Sequence, residues 1–130
     1  MPKIIIMIFV MHIFAGFFLQ SNRISKLKSV QYRYLFEHVG LYTFTFIILS
    51  PLLLGLTIKE GIEYSLLNGL LHLVVDYITG KFKSKFRESH DFKYNMMIGI
   101  DYSVHLMILI TTYIYFFPQA MHVVTFWDKG

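Results

Sequence analysis

His72-Leu73-Val74-Val75-Asp76 lies inside the apolar run from Tyr64 to Ile78, and its reading decides the fold. A histidine and an aspartate four residues apart share one face of a helix, about one turn apart along the axis. An aspartate left in hydrocarbon costs roughly 2.5–3.5 kcal/mol even on the lenient insertion scale. Ionisable groups inside such runs therefore face a partner or mark a function. A reversed pair, Asp101-Tyr102-Ser103-Val104-His105, sits in the next apolar run, and His12 and His38 lie in the two runs before. This arrangement points to an all-α, integral membrane four-helix bundle built around one polar centre.

Composition agrees with that reading. Hydrophobic residues make up 55% and charged residues 15%, against about 25% charged in soluble domains. Mean hydropathy is +0.55, and 130 residues make a single domain. Cysteine is absent, which removes disulfides and thiolate ligands. The net charge of +4 raises nucleic acid as a partner. The positive charges, however, fall in short connectors between apolar runs, where anionic headgroups account for them, and no nucleic-acid recognition motif is present. Membrane lipids are the expected partners, with a second copy or another membrane protein left open.

The spans are expected at about residues 2–19, 34–56, 62–78 and 96–117. A cleaved signal peptide is the alternative for the first, but Ala15-Gly16-Phe17 followed by Phe18 is a poor cleavage site, so a retained helix is expected. The connector Gln20 to Arg33 carries Arg23, Lys26, Lys28 and Arg33, with Ile24, Leu27 and Val30 at the spacing of a short surface helix. Pro51 in the second span is tolerable where neighbouring helices satisfy the freed carbonyl. A turn at Thr57 to Glu63, containing Lys59, Glu60 and Gly61, makes spans two and three antiparallel neighbours. A second basic connector from Thr79 to Asn95 holds Lys81, Lys83, Lys85, Arg87 and Lys93 against Glu88 and Asp91. Pro118 closes the last span, and Trp127 in the tail suits an interface anchor.

Of the 12 lysines and arginines, all but Lys3, Lys59 and Lys129 fall in the two basic connectors. The positive-inside rule then makes both connectors cytoplasmic and puts both termini outside a bacterial inner membrane crossed several times. Depth brings the polar residues together. At about 1.5 Å per residue, His12 lies roughly 10 Å before the cytoplasmic end of its span and His38 roughly 6 Å past the start of the second. Asp76 and His72 lie roughly 3 and 9 Å from the cytoplasmic end of the third, and Asp101 and His105 roughly 7 and 13 Å into the fourth. All six occupy the cytoplasmic half, unpaired by any Lys or Arg inside the spans.

Imidazoles with carboxylates suit a divalent transition metal such as zinc, manganese, iron or nickel. The candidate ligands are His12, His38, His72, Asp76, Asp101 and His105, for one ion or two. Some of them serve as outer partners that orient the ligands. The opposing reading is interhelical polar glue, the usual role of a lone intramembrane histidine; it suits the set of six less well than any single member. His90 and His122 lie in a connector and the tail and are read as ordinary surface residues. Tyr42 and Asn68, each one turn from a histidine, are candidates to orient His38 and His72. The abundance of Phe and Tyr (13 and 9) is read as lipid-facing and core packing.

Four segments also resemble a known family: His12-Ile-Phe-Ala-Gly-Phe-Phe-Leu-Gln20; Leu35-Phe-Glu-His38 with Tyr42; Asn68-Gly-Leu-Leu-His72-Leu-Val-Val-Asp76; and Ile100-Asp101 with His105. From about residue 8 to 110 the chain resembles the bacterial and phage membrane family called domain of unknown function 3307. It is more distantly similar to membrane-bound metal-dependent hydrolases. The resemblance implies a metal site and imports no established activity. It also marks a departure: the family's first motif reads His-x-x-x-Asp, and Gly16 stands where that carboxylate belongs. Either Glu37 compensates, or one ion replaces two, or catalysis is lost.

The leading expectation is a metal-dependent hydrolase acting on a phospholipid or other lipid-linked substrate at the cytoplasmic leaflet. The ion would activate water, and Asp76 or Asp101 would serve as general base. Lys26, Lys28, Lys81, Lys83 and Lys85 would hold the anionic headgroup. No nucleophilic serine motif or phosphate-cradling glycine loop is visible. Two alternatives stand beside it: a non-enzymatic, phage-type membrane effector (holin-like, or an inhibitor of a host membrane process) with a degenerate site, and proton or cation transport through the His/Asp chain.

Overall fold

The computed structural model of the chain describes residues 2–18, 21–28, 30–87 and 91–120. These are all-α: α1 (Pro2–Ile13) runs into a π turn (Phe14–Phe18), followed by α2 (Asn22–Leu27), α3 (Tyr32–Leu53), α4 (Ile58–Phe86) and α5 (Asp91–Phe116). α3 and α5 are long and apolar enough to cross a membrane, and Lys3–Gly16 forms a shorter apolar helix. α4 is the longest, at 29 residues, but it carries the polar face that lowers its hydropathy.

Local chemistry sets the boundaries. The Leu54 N–H closes α3 on the Ser50 carbonyl at 3.0 Å. Gly55 then takes φ 68°, the left-handed conformation that reverses a chain after a helix. Thr57 opens α4 with a capping box: its hydroxyl accepts from the Glu60 N–H at 3.2 Å, and the Glu60 carboxylate accepts from the Thr57 N–H at 2.8 Å. The reversal is thus tighter than expected, and Lys59, Glu60 and Gly61 form the first turn of α4 instead of a connector. Ser21 caps α2 by accepting from the Ile24 N–H at 3.2 Å. That short helix falls where the spacing of Ile24 and Leu27 indicates, while Val30 lies beyond it.

The second connector is corrected more strongly. α4 continues through the basic segment to Phe86, because lysine ends an apolar run without ending a helix. Thr79, Gly80 and Lys83 consequently join the buried face of α4. On that face Gly61, Ser65, Asn68, His72, Asp76, Thr79 and Lys83 follow at steps of three or four, one continuous stripe.

α3 and α4 pack antiparallel, Ser50 beside Gly61 and His38 beside His72. α4 and α5 do likewise, Tyr64 beside Leu109 and Thr79 beside Asp101. α1 contacts both α3 and α5. Small residues let α3 and α4 approach: a Cβ at Gly61 would come 2.6 Å from Pro51 Cγ, and one at Gly69 would collide with Thr43 Oγ1.

The interior has two storeys. One end is apolar and aromatic, with Ile4, Ile8, Phe46, Leu54, Tyr64 and Tyr113, its two tyrosine hydroxyls donating to the Leu109 and Leu54 carbonyls at 2.8 and 2.7 Å. The other end is polar and holds His12, His38, His72, Asp76, Asp101 and His105, all buried. Meanwhile Leu52, Leu66, Leu70, Val74, Ile78 and Met107 point outward and are exposed.

Gly69→Val should test the seam. The added bulk meets Thr43, and overpacking of this kind costs about 1–3 kcal/mol, read as a lower Tm of protein purified in detergent. Gly99→Ala, where an added Cβ meets nothing within 4 Å, should leave Tm unchanged or raise it. Equal losses in both variants would refute the close approach.

Candidate metal centre

Asp76 is the hub of the polar end. His38 Nε2 and His72 Nε2 each lie 3.1 Å from its Oδ2, and His105 Nε2 lies 2.8 Å from its Oδ1. The two nitrogens of His38 and His72 face each other at 3.0 Å. His72 and Asp76 share the α4 face through their four-residue spacing, His38 comes from the facing stretch of α3, and His105 from α5. His72 is held by stacking, with Tyr42 at 4.0 Å on one side and His105 at 3.9 Å on the other.

Asp101, one turn before His105, completes the cluster. His105 Nε2 lies 3.3 Å from Asp101 Oδ1. The Thr79 hydroxyl donates to that same oxygen at 2.6 Å, and Lys83 Nζ donates to Oδ2 at 3.2 Å. Lys83 is thereby buried, with 7% of its surface exposed. The six are expected to be unpaired by any Lys or Arg inside the spans, and the pairing of Lys83 with Asp101 corrects this. The helix that carries Lys83 continues past Ile78, where the apolar run ends.

Two overlapping donor groups follow: His38, His72 and Asp76; and Asp76, Asp101 and His105. In each, the donor atoms lie within 4.8 Å of one another. The first group fits an ion closely. Its edges of 3.0, 3.1 and 3.1 Å match the separation of about 3 Å kept by donors bound about 2.0–2.1 Å from a common metal. Asp76 Oδ2, deeply buried, accepts no hydrogen bond among the described residues. A buried carboxylate oxygen without a donor is costly unless a cation meets it. These buried His/Asp groups could hold a metal ion.

His12 belongs to neither group. Its Nδ1 pairs with the Tyr42 hydroxyl at 3.2 Å, and its ring stands 5.7 Å from that of His105 and 6.3 Å from that of His72. Its Nε2 is buried without a partner among the described residues. Tyr42 therefore orients His12 and stacks on His72 instead of holding His38. Asn68 turns away from His72 and pairs with Thr112, its amide donating at 3.0 Å. Glu37 pairs with Arg33 at 3.2 Å on the surface and does not replace the carboxylate absent at Gly16. Gly16 itself is buried, and a Cβ there meets nothing within 4 Å.

A cleft of about 80 Å³ reaches the hub from the basic end, lined by Lys28, Gln31, Tyr32, Asp76, Tyr77 and Lys81 among others. Tyr32 and Tyr77 stack at 6.0 Å, and Lys81 Nζ sits 4.3 Å above the Tyr77 ring. Burial lowers the Lys28 pKa, with Asp76 pulling it back up. Of the surface lysines expected to hold a headgroup, Lys28 and Lys81 line this cleft, Lys85 is exposed on α4, and Lys83 points inward. The Lys26 side chain, His90, His122 and Trp127 lie outside the described residues. Thr79 and Lys83 were missed from sequence, though their spacings of three and seven from Asp76 place them on its helix face.

A family model described as "Protein of unknown function (DUF3307)" matches residues 4–129. No curated protein and no solved structure matches the chain.

Asp76→Asn keeps the side-chain shape and removes the charge shared by three imidazoles. The His105 hydrogen bond to that charge contributes about 1.5–3 kcal/mol, so Tm should fall by several degrees. Arg33→Ala, which breaks only the exposed pair with Glu37, should move Tm by less than a degree or two. A neutral Asp76→Asn would show that Asp76 is not the hub.

Proposed function

The chain belongs to the DUF3307 family, and because that description assigns no activity, we propose one from the residues themselves. In this reading the protein is an integral membrane four-helix bundle of α1, α3, α4 and α5, in a bacterial inner membrane with both termini outside. It holds a divalent metal ion and hydrolyses a phospholipid or other lipid-linked substrate at the cytoplasmic leaflet. The observation that carries the proposal is the buried triangle of His38 Nε2, His72 Nε2 and Asp76 Oδ2, with edges of 3.0, 3.1 and 3.1 Å and no well-directed hydrogen bond to the carboxylate oxygen among the described residues.

The membrane part rests on the inverted distribution of side chains. Four histidines and two aspartates occupy one end of the interior while many large apolar residues face outward, unlike a soluble domain, which rarely exposes extended apolar patches. The leaflet follows from charge: the basic segments around α2 and the end of α4 lie at the polar storey, where positive residues favour the cytoplasmic side.

His38, His72 and Asp76 would hold the ion, which supplies electrophilic activation of water and of a phosphoryl or acyl oxygen when bound. Lys28 and Lys81 would bind the anionic headgroup at the mouth of the cleft that ends at Asp76. Asp101 has both oxygens engaged by Thr79 and Lys83, and Asp76 is surrounded by imidazoles. Of the imidazole nitrogens left without a partner among the described residues, His38 Nδ1 and His72 Nδ1 belong to rings that hold the ion and His12 Nε2 does not, so His12 takes the proton of the attacking water in this reading, oriented through Nδ1 by Tyr42. Outward apolar faces keep the acyl chains in the bilayer while the headgroup enters.

Elemental analysis of detergent-purified protein should find a stoichiometric transition metal that is lost in His72→Ala and in Asp76→Asn. With the metal present, vesicles of phosphatidylglycerol and phosphatidylethanolamine should release a hydrolysis product detectable by mass spectrometry. The double variant Lys28→Ala/Lys81→Ala should raise KM severalfold and leave kcat nearly unchanged. Metal-free protein whose expression depolarises the membrane irrespective of His72 would favour the effector reading. Proton flux abolished by the same substitutions without bound metal would favour transport.

A further inference from the structure

The two donor groups that share Asp76 are not equivalent. In the His38, His72 and Asp76 group, the carboxylate oxygen accepts no well-directed hydrogen bond among the described residues, and the two imidazole nitrogens lie at an equal 3.1 Å from it. In the Asp76, Asp101 and His105 group, every carboxylate oxygen that faces the centre already has a donor. Asp101 Oδ1 takes the Thr79 hydroxyl at 2.6 Å, Asp101 Oδ2 takes Lys83 Nζ at 3.2 Å, and Asp76 Oδ1 pairs with His105 Nε2 at 2.8 Å.

Lys83 reaches this position from two turns beyond Asp76 on the same face of α4, its amine buried against the carboxylate. A buried ammonium is costly to hold unless it neutralises a charge, and Asp101 is the charge it meets. Counting formal charges, Asp76 and Asp101 against Lys83 and one divalent ion leave a single net positive charge; a second divalent ion would leave three. Lys28, on the wall of the cleft above Asp76, adds a further positive charge to any such total. In a low-dielectric interior that excess is strongly unfavourable.

We infer that the centre is built for one divalent ion, held by His38, His72 and Asp76, and that the Lys83 ammonium stands in for a second ion beside Asp101. The inference deepens the metal-binding reading above and rests on it. Lys83 is in this account a positioning residue: it fixes Asp101, which in turn meets His105, which meets Asp76. It also bears on Gly16, because a centre with one ion has less need of a further carboxylate near His12.

The test is a titration of metal-stripped, detergent-purified protein with Co²⁺, followed by ligand-field absorption and by elemental analysis after desalting. Wild-type protein should saturate at one equivalent. Asp101→Asn should retain that equivalent with affinity weakened by roughly tenfold, as for loss of an outer partner, whereas Asp76→Asn should lose it. Lys83→Met should take up a second equivalent. Its Tm when stripped should lie below that of stripped wild type and recover on adding Co²⁺; Lys83→Arg should stay at one. Two equivalents in wild type overturn the inference, as does a folded Lys83→Met that stays at one. Loss of the ion from Asp101→Asn to the same degree as from Asp76→Asn also overturns it. Should Lys83→Met fail to fold, the wild-type and Asp101→Asn titrations decide the matter alone. A wild type that binds no Co²⁺ sinks the metal reading itself, an outcome distinct from binding two.

Discussion

A carboxylate buried among three imidazoles is the constraint on which the rest of this structure depends. Asp76 is 5% exposed, and its two oxygens are reached by nitrogens of His38, His72 and His105 from three different helices. A single buried charge of this kind is tolerated only where opposite charge or strong donors surround it. The helices must therefore meet at one level with fixed rotation about their axes. The seam of Gly61, Ser65 and Gly69 supplies the closeness between α3 and α4 that this register needs. At the far end, the capping box at Thr57 and the left-handed Gly55 set where α4 begins, and hence which residues face inward four turns later.

Much of this was legible in the sequence because two independent periodicities agree. The His72/Asp76 and Asp101/His105 pairs fix a face on each of two helices. The common depth of all six polar residues along their runs fixes the level at which those faces meet. The structure brings the six to one storey, His38, His72, Asp76, Asp101 and His105 in contact and His12 alongside. What is not legible follows from one difference: the end of an apolar run is not the end of a helix. Lysines at 81, 83 and 85 end the run without ending the helix, so Lys83 was assigned to the surface when its position seven residues after Asp76 puts it on the buried face. The roles of Tyr42 and Asn68 were misassigned for a related reason. Proximity along one helix says which residues share a face, but not which residue of the opposite helix arrives there. Tyr42 meets His12 and Asn68 meets Thr112 across interfaces that no local spacing encodes.

The distribution of polarity separates a binding centre from interhelical glue. Glue is already present elsewhere in the molecule: Asn68 pairs with Thr112, and the Ser50 and Ser65 hydroxyls both donate to the Gly61 carbonyl, neutral contacts that satisfy their donors. Such pairs contribute modestly and need no ion. The hub differs in kind. With its surroundings it gathers two carboxylates, a lysine and four histidines, yet leaves His12 Nε2, His38 Nδ1, His72 Nδ1 and Asp76 Oδ2 without hydrogen bonds among the described residues. A network selected only for stability would close those positions, because a partly satisfied buried polar network is worse than an apolar one.

Gly16 belongs to the same account. The π turn at Phe14–Phe18 carries the chain past the polar storey directly after His12, and Gly16 is buried there with open space where a Cβ would stand. Position 16, four residues after His12, brings no side chain to the centre. If the ion count were set by the number of available carboxylates, a glycine here would be a lesion. Because Lys83 already balances Asp101, an added carboxylate has no unmatched cation to meet unless a second ion enters. In the one-ion reading proposed above, glycine at 16 and lysine at 83 are consistent choices for one charge balance, and each makes sense of the other.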